Sequence, residues 1–312
     1  MSLSEHLQEY WGKPVVDWSE AAGLQDAANS VARLSLSYDE YDKKEKWLDK
    51  FAAFLEEDRV SEVTGIVVGV WDFESSETSD AIVEALVSAR DKLPNLRALF
   101  IGDILSEENE MSWIQQSDLS VLFDAYPGLE HLGVRGGNDL TLGSPRHENL
   151  KSLIVETGGM NASIVQGLSR AQLPNLEHLE LWLGTEEYGA TVSLDDLQPI
   201  LSGALFPKLR YLGLRNCEIA DEVARAVANA PVVEKIKVLD LSLGILTDEG
   251  AQVLAQSTSI EKLEKLDIHF HYCSDEAVKN LRQAISGELD ASDAQQPEED
   301  DGEVYRYVAV GE

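Results

Sequence analysis

The sequence predicts an α/β solenoid: a curved stack of strand–helix units, with a parallel sheet on the concave side and helices on the convex side. Three observations predict it. The motif L-x-x-L-x-L recurs, its copies fall at near-regular spacing, and the stretches between them carry helical rather than strand periodicity. Clear copies are "LPNLRALFIG" from Leu93, "YPGLEHLGVR" from Tyr126, "HENLKSLIVE" from His147, "LPNLEHLELWLG" from Leu173, "FPKLRYLGLRNC" from Phe206, "VEKIKVLDLSLG" from Val233 and "IEKLEKLDIHFH" from Ile260. Their first apolar positions, Leu96, Leu129, Leu150, Leu176, Leu209, Ile236 and Leu263, are separated by 33, 21, 26, 33, 27 and 27 residues. Two weaker copies, Val31-Leu34-Leu36 and Val63-Ile66-Val68, precede them at similar spacing.

Residues 1–30 do not fit the repeat and are expected to cap it, with "PVVDW" as an edge strand and "SEAAGLQDAANS" as a polar cover. Residues 31–287 are expected to form the solenoid, of about nine repeats. Trp47, Leu48, Phe51, Phe54 and Leu55 make one helical stripe, and Ile82, Val83, Leu86 and Val87 make another. Leu194, Leu197, Ile200 and Leu201 repeat the pattern, as do Val278, Leu281 and Ile285. Ser79-Asp80 and Ser274-Asp275-Glu276 supply helix starts, and Pro94, Pro127, Pro174 and Pro207 turn the chain back towards a strand. "GGNDLTLGSP" is a long loop between copies. From Glu288 to Glu303 the chain is acidic and poor in apolar residues, which predicts a disordered linker. "VYRYVAV", Val304 to Val310, alternates like a strand, so residues 304–312 are expected to be a strand-like tail. It either folds back over the solenoid or is captured by a partner.

The residues also carry a resemblance. "IKVLDLSLGILTDEGAQVLA", Ile236 to Ala255, closely resembles leucine-rich repeats of the ribonuclease-inhibitor type. "LRYLGLRNCEIADEVARAVA" from Leu209 resembles them too, with a cysteine at the expected place. With its "WGKPVVDW" start and "YVAVGE" end, the chain is similar to a group of bacterial leucine-rich-repeat proteins. The resemblance spans roughly Val31 to Gly287 and implies a leucine-rich-repeat horseshoe. "GVRGGNDLTLG" departs from it by lacking a clear asparagine or cysteine at the turn.

In a strand, alternate side chains face opposite sides. In "LEHLELW", Leu179 and Leu181 are therefore expected in the core, and His178, Glu180 and Trp182 on the concave, solvent-facing side. The same positions in other copies present Gly65, Val67, Ala98 and Phe100 early in the chain, a small and apolar surface. Later they present His131, Arg135, Glu156, Tyr211, Arg215, Asp240, Asp267 and His269. Exposed Trp, Tyr and Arg dominate binding energy at interfaces, so this face is the expected partner site, centred on Trp182, Tyr211 and Arg215. Tyr305, Tyr307 and Val308 of the tail are a second candidate.

At 44% hydrophobic, the 312-residue chain suits a packed globular protein. It lacks both an apolar window long enough for a membrane span and a signal-peptide pattern, so a cytoplasmic location is expected. Cys217 and Cys273 are expected to be reduced, buried thiols. A net charge of −32 repels nucleic acid and anionic lipid while drawing in a basic protein or peptide. GxSxG, GxxxxGK[ST] and HExxH are all absent, and no cofactor or metal is expected. The function expected is non-enzymatic binding of a protein or peptide. One alternative is an inhibitor or immunity-type protein that neutralises a basic enzyme. Another is a metal-dependent or accessory enzyme, in which His269 and His271 point the same way beside Asp267 and Asp240.

Overall fold

A computed structural model describes residues 5–311, which form two compact units, one up to Val155 and one from Glu156. In the first unit, strands β1 (Glu9–Tyr10), β2 (Lys13–Asp17), β3 (Val31–Leu34), β4 (Gly65–Val68), β5 (Ala98–Ile101), β6 (His131–Arg135) and β7 (Ser152–Glu156) follow one another in chain order. The β1–β2 pair is antiparallel, and the pairs from β2 to β6 are parallel. Helices α1 (Tyr38–Asp42), α2 (Trp47–Phe54), α3 (Asp80–Ser88) and α4 (Val121–Ala125) lie in the intervening connections.

The second unit continues the alternation. It comprises α5 (Ala162–Leu168), β8 (His178–Gly184), α6 (Leu194–Leu201), β9 (Tyr211–Cys217), α7 (Ala220–Val227), β10 (Val238–Asp240), α8 (Asp248–Ala255), β11 (Lys265–Asp267), α9 (Asp275–Ala284) and β12 (Glu288–Asp290). Strands β8 to β12 are parallel and in chain order. A hairpin of β13 (Glu298–Asp300) and β14 (Glu303–Tyr305) follows. Among the described residues, no helix is long and apolar enough to cross a membrane.

Register explains the core. Leu179, Leu212, Leu239, Leu266 and Leu289 lie opposite one another on successive strands, and all are buried. Ile66, Leu99 and Leu132 make the same ladder in the first unit. No single strand hides these side chains, so each rung is stabilised by its neighbours, at about 1.5–3 kcal/mol for each fully buried leucine. Strands begin alike: one carbonyl accepts two consecutive N–H groups from the next copy, as Arg97 does from Glu130 and His131, and Arg210 from Lys237 and Val238.

The helices pack the predicted stripes inward, burying Trp47, Phe51, Phe54, Ile82, Val83, Leu86, Leu197, Ile200, Leu201 and Leu281. Leu48 is exposed instead. Ser274 caps α9 by accepting from Ala277 N. Ser79 does not cap α3 through its side chain, which pairs with Ser117 Oγ at 2.8 Å.

Residues 288–303 correct an expectation. They are not a disordered linker: Glu288–Asp290 adds a strand in register with β11, because Leu289 extends the leucine ladder and Lys265 faces Glu288 and Asp290 at 3.5 Å each. The tail is also less strand-like than the alternation implied. Only Glu303–Tyr305 is extended and paired, and residues 307–310 run over the turns of the second unit.

Candidate functional site

In the second unit, β8, β9 and β10 align their sheet-facing side chains side by side. His178 lies opposite Tyr211, and Trp182 opposite Arg215. The alternation assigned Leu179 and Leu181 to the core, and both are fully buried there. The alternate side chains, expected to meet a partner, are however not free in solvent. Trp182 is only 3% exposed, and Glu180, Arg215, Asp240, Asp267 and Glu156 are buried as well. Of the expected exposed centre of Trp182, Tyr211 and Arg215, only Tyr211 is partly exposed, and the expectation is corrected for Trp182 and Arg215.

The reason is lateral. The Arg215 guanidinium lies 5.3 Å over the Trp182 ring, and Trp182 Nε1 donates to Glu180 Oε1 at 2.8 Å. Arg215 Nη1 donates to the same oxygen at 2.6 Å, and Arg215 Nε donates to Ser242 Oγ at 2.9 Å beside Asp240. Tyr211 OH donates to Asp240 Oδ2 at 2.6 Å. Gly213 makes room for that tyrosine, since a Cβ there would lie 3.0 Å from its ring and 3.2 Å from Glu180. Burial raises the Glu180 pKa, but the hydrogen bond from His178, the Arg215 charge and the Trp182 N–H outweigh it and hold the carboxyl at about 2. Burial and the two neighbouring carboxylates push Tyr211 well above its usual range.

What remains accessible is the rim of this network. The His178 and Tyr211 rings stack at 3.9 Å between centroids and 9° between planes, both partly exposed. Asp267, His269 and Asp290 form a neighbouring group whose ligand atoms lie within 4.8 Å of one another. Lys265 Nζ is 3.0 Å from Asp267 Oδ2, His269 Nδ1 is 2.7 Å from Asp267 Oδ1, and Ser292 donates to Asp290. Each carboxylate is thus already engaged, which suits a neutralised ion network better than an open metal site. Burial raises the Asp267 pKa, but the His269 and Lys265 contacts hold it below the usual carboxylate range.

His271 does not join His269. Strand β11 ends at Asp267, and Phe270 takes φ +61°, which breaks the alternation. His271 turns inward, with Nε2 on Ala291 O at 3.2 Å and Nδ1 accepting from Cys273 N. Cys217 and Cys273 are buried free thiols, and burial pushes both up to about 12, which disfavours the thiolate at neutral pH.

The first unit covers its own apolar face. Leu7, Tyr10, Trp11 and Val15 pack on Val31, Val67, Ala98 and Phe100, and Tyr10 OH donates to Leu99 O. His131 is partly exposed, with its ring 5.5 Å from that of Trp11. Arg135 is buried, donating to Ile104 O and lying 5.8 Å over Phe100. Sequence reasoning missed the ion cluster beneath: fully buried Asp103 faces Arg33 at 3.0 Å, Arg135 at 3.8 Å and His6 at 3.6 Å. Asp103 and His6 lie outside the repeat motif, so periodicity carried no signal for them, whereas Arg33 and Arg135 stand on β3 and β6.

In the tail, Tyr305 and Tyr307 are 40% and 56% exposed, whereas Val308 is buried against the second unit.

No family model matches the chain, and no curated protein does. Among solved structures, the chain is similar to a Bacteroides fragilis protein determined by the Northeast Structural Genomics Consortium. The two share 34% identity and a TM-score of 0.81, over 86% of this chain and 76% of that one. The chain belongs to that protein's family. Likeness at this level extends to most of both chains, so the strand–helix arrangement is shared with a solved member.

Proposed function

We propose that the protein is a non-enzymatic leucine-rich-repeat scaffold that binds another protein or peptide on the sheet face of its second unit. The supporting observation is the stacked His178–Tyr211 pair: two partly exposed rings held by a buried, hydrogen-bonded base of Glu180, Arg215 and Asp240. A platform already rigid loses little conformational entropy when a partner lands on it. Of the three residues expected at its centre, Trp182 and Arg215 are the roots of the network, while Tyr211, together with His178, supplies its tips.

The second reading, an inhibitor or immunity-type protein for a basic enzyme, draws its support from the net charge of −32. A metal-dependent enzyme is favoured least, because Lys265 already faces the carboxylates of the Asp267 group. Affinity capture from lysate with wild type, His178→Ala and Tyr211→Ala is the test, with circular dichroism to confirm folding. Loss of at least one partner from both folded variants is expected, and identical partner sets would reject the platform. Release of the partner by moderate salt would favour the basic-enzyme reading.

A further inference from the structure

In the first unit, exposed rings stand where strands β3, β4 and β5 give way to the connections that follow them. Tyr38, on α1, is 67% exposed, and Trp113, after β5, is 58% exposed. Phe73, after β4, is partly exposed and packs its ring against Tyr38 and Tyr41, with centroids 5.6 and 5.3 Å away. Large rings left in water mark interaction surfaces when they are rigidly held and share one electrostatic environment.

Both conditions hold. The Asp72 carboxylate accepts from the N–H groups of Glu74, Ser76 and Glu77 at 3.0, 2.6 and 2.8 Å, so the turn that carries Phe73 is wound on it. Tyr41 OH donates to the same carboxylate at 3.0 Å. Adjoining connections are laced together, with Ser75 Oγ donating to Asn109 Oδ1 at 2.9 Å and Ser79 N to Gln115 O at 3.1 Å. Beside Trp113 the main chain is pinned on both sides, by Asn138 Nδ2 on Ser112 O at 2.6 Å and by Gln115 Nε2 on Trp113 O at 3.0 Å. Charge around the rings has one sign. Residues 72–80 and 103–110 hold carboxylates and no lysine or arginine. Among the described residues, the side chains of Asp39, Asp42, Glu74, Glu107 and Glu110 have no hydrogen bond or ion pair, and Lys43 is the one cation of residues 37–46 in that condition. The cluster already seats a cation of its own chain, since Lys44 Nζ lies 5.6 Å over the Tyr41 ring.

We propose that the edge of the first unit carrying Tyr38, Phe73 and Trp113 docks an arginine-bearing segment of another protein. Guanidinium groups stack on the rings, and the carboxylates beside them meet the charge. The same carboxylates repel nucleic acid and anionic lipid. Two chains at a net charge of −32 repel each other, which disfavours a second copy as the occupant. The site does not rest on the His178–Tyr211 platform of the second unit.

The test is fluorescence anisotropy of the full chain with a labelled synthetic peptide, SRSRSRS, at about 0.1 M salt, where charges more than about 10 Å apart are largely screened. Tyr38→Ala and Trp113→Ala leave the net charge unchanged, so general attraction to an acidic chain stays constant while the rings are lost. Each should weaken binding about two- to fivefold, and the two together about tenfold, with circular dichroism unchanged. The lysine counterpart SKSKSKS should bind more weakly, because only the planar guanidinium lies flat on a ring. His178→Ala should bind like wild type. Equal affinity of wild type and the folded double variant would overturn the proposal, since charge alone would then account for the binding. A loss confined to His178→Ala would overturn it too, by giving the peptide to the platform. In sedimentation the wild type should be monomeric, and a dimer abolished by Trp113→Ala would give the face to a second copy and overturn the proposal.

Discussion

Gly213 shows how one residue organises the candidate face. Without a side chain there, the Tyr211 ring lies flat enough to reach both Asp240 and the His178 stack. Gly213→Val should displace the ring and lower the melting temperature, by an overpacking cost of about 1–3 kcal/mol. An unchanged melt with partner capture retained would show that Tyr211 has no fixed seat. Glu180 supplies a sharper case, because it accepts from Trp182 and Arg215 at once. Glu180→Gln leaves Arg215 buried with one carboxylate fewer, and removing one partner of such a pair costs about 3–5 kcal/mol. The sign of the pH dependence follows from the depressed carboxyl. Its folded value of about 2 lies below the ordinary 4.5, so its stabilisation is fully present above pH 4.5 and is lost as pH falls towards 2. Acid unfolding of wild type and Glu180→Gln should therefore converge over that window, and parallel curves would contradict it. Alternation along "LEHLELW" was enough to say which side each residue faces. Burial of Trp182 was not legible there, because its cover, Arg215, is 33 residues away and meets it only once the strands are in register.

At the scale of elements, the segments Leu7–Val15 and Glu288–Asp290 are used as packing material. The early apolar positions Val67, Ala98 and Phe100 read as a bland surface, yet the structure lays the segment from Leu7 to Val15 across them. Apolar residues on an outward face were the available signal, since water is a poor neighbour for such a patch. What lands there depends on the turn at Trp11-Gly12, with φ values of 56° and 69°, and no hydropathy pattern encodes that geometry. His6 anchors the segment between Asp103 and Glu108. Burial lowers the His6 pKa, but its contacts to Asp103 and Glu108 outweigh this and raise it from 6.5 to about 9. A raised histidine contributes stability that is complete below pH 6.5 and fades as pH rises through 9. His6→Ala should thus melt below wild type at pH 6 and match it near pH 10. A difference that persists at pH 10 would mean that packing, not charge, holds the segment. The strand β12 was hidden for the opposite reason: acidic composition masked Leu289, whose ladder position becomes visible only beside Leu266.

For the whole chain, charge is sorted along the repeat. Lysines near the strand starts pair with glutamates of adjoining copies, as in Lys92–Glu56, Lys151–Glu130, Lys237–Glu264 and Lys262–Glu234. Six stretches that follow strands, residues 72–80, 103–110, 185–196, 218–222, 247–249 and 274–276, contain carboxylates and no lysine or arginine, whereas the connection after β3 carries Lys43, Lys44 and Lys46 and the one after β6 carries Arg146. Part of this is local chemistry. Asp195, Asp196, Asp221, Glu222, Asp248, Glu249, Asp275 and Glu276 sit in first helical turns, where free amides and the helix dipole favour a negative charge. Each placement is favourable alone, but their sum is a net charge of −32 whose mutual repulsion opposes compactness. Screening should relieve the repulsion more than it weakens the exposed lysine–glutamate pairs, since solvent already screens such pairs and each contributes little. Raising salt from about 0.01 M to about 0.1 M shortens the Debye length from roughly 30 to roughly 10 Å. Over that range the melting temperature should rise. A flat or falling curve would show that the pairs between copies, rather than the unpaired carboxylates, dominate the electrostatics of the folded chain.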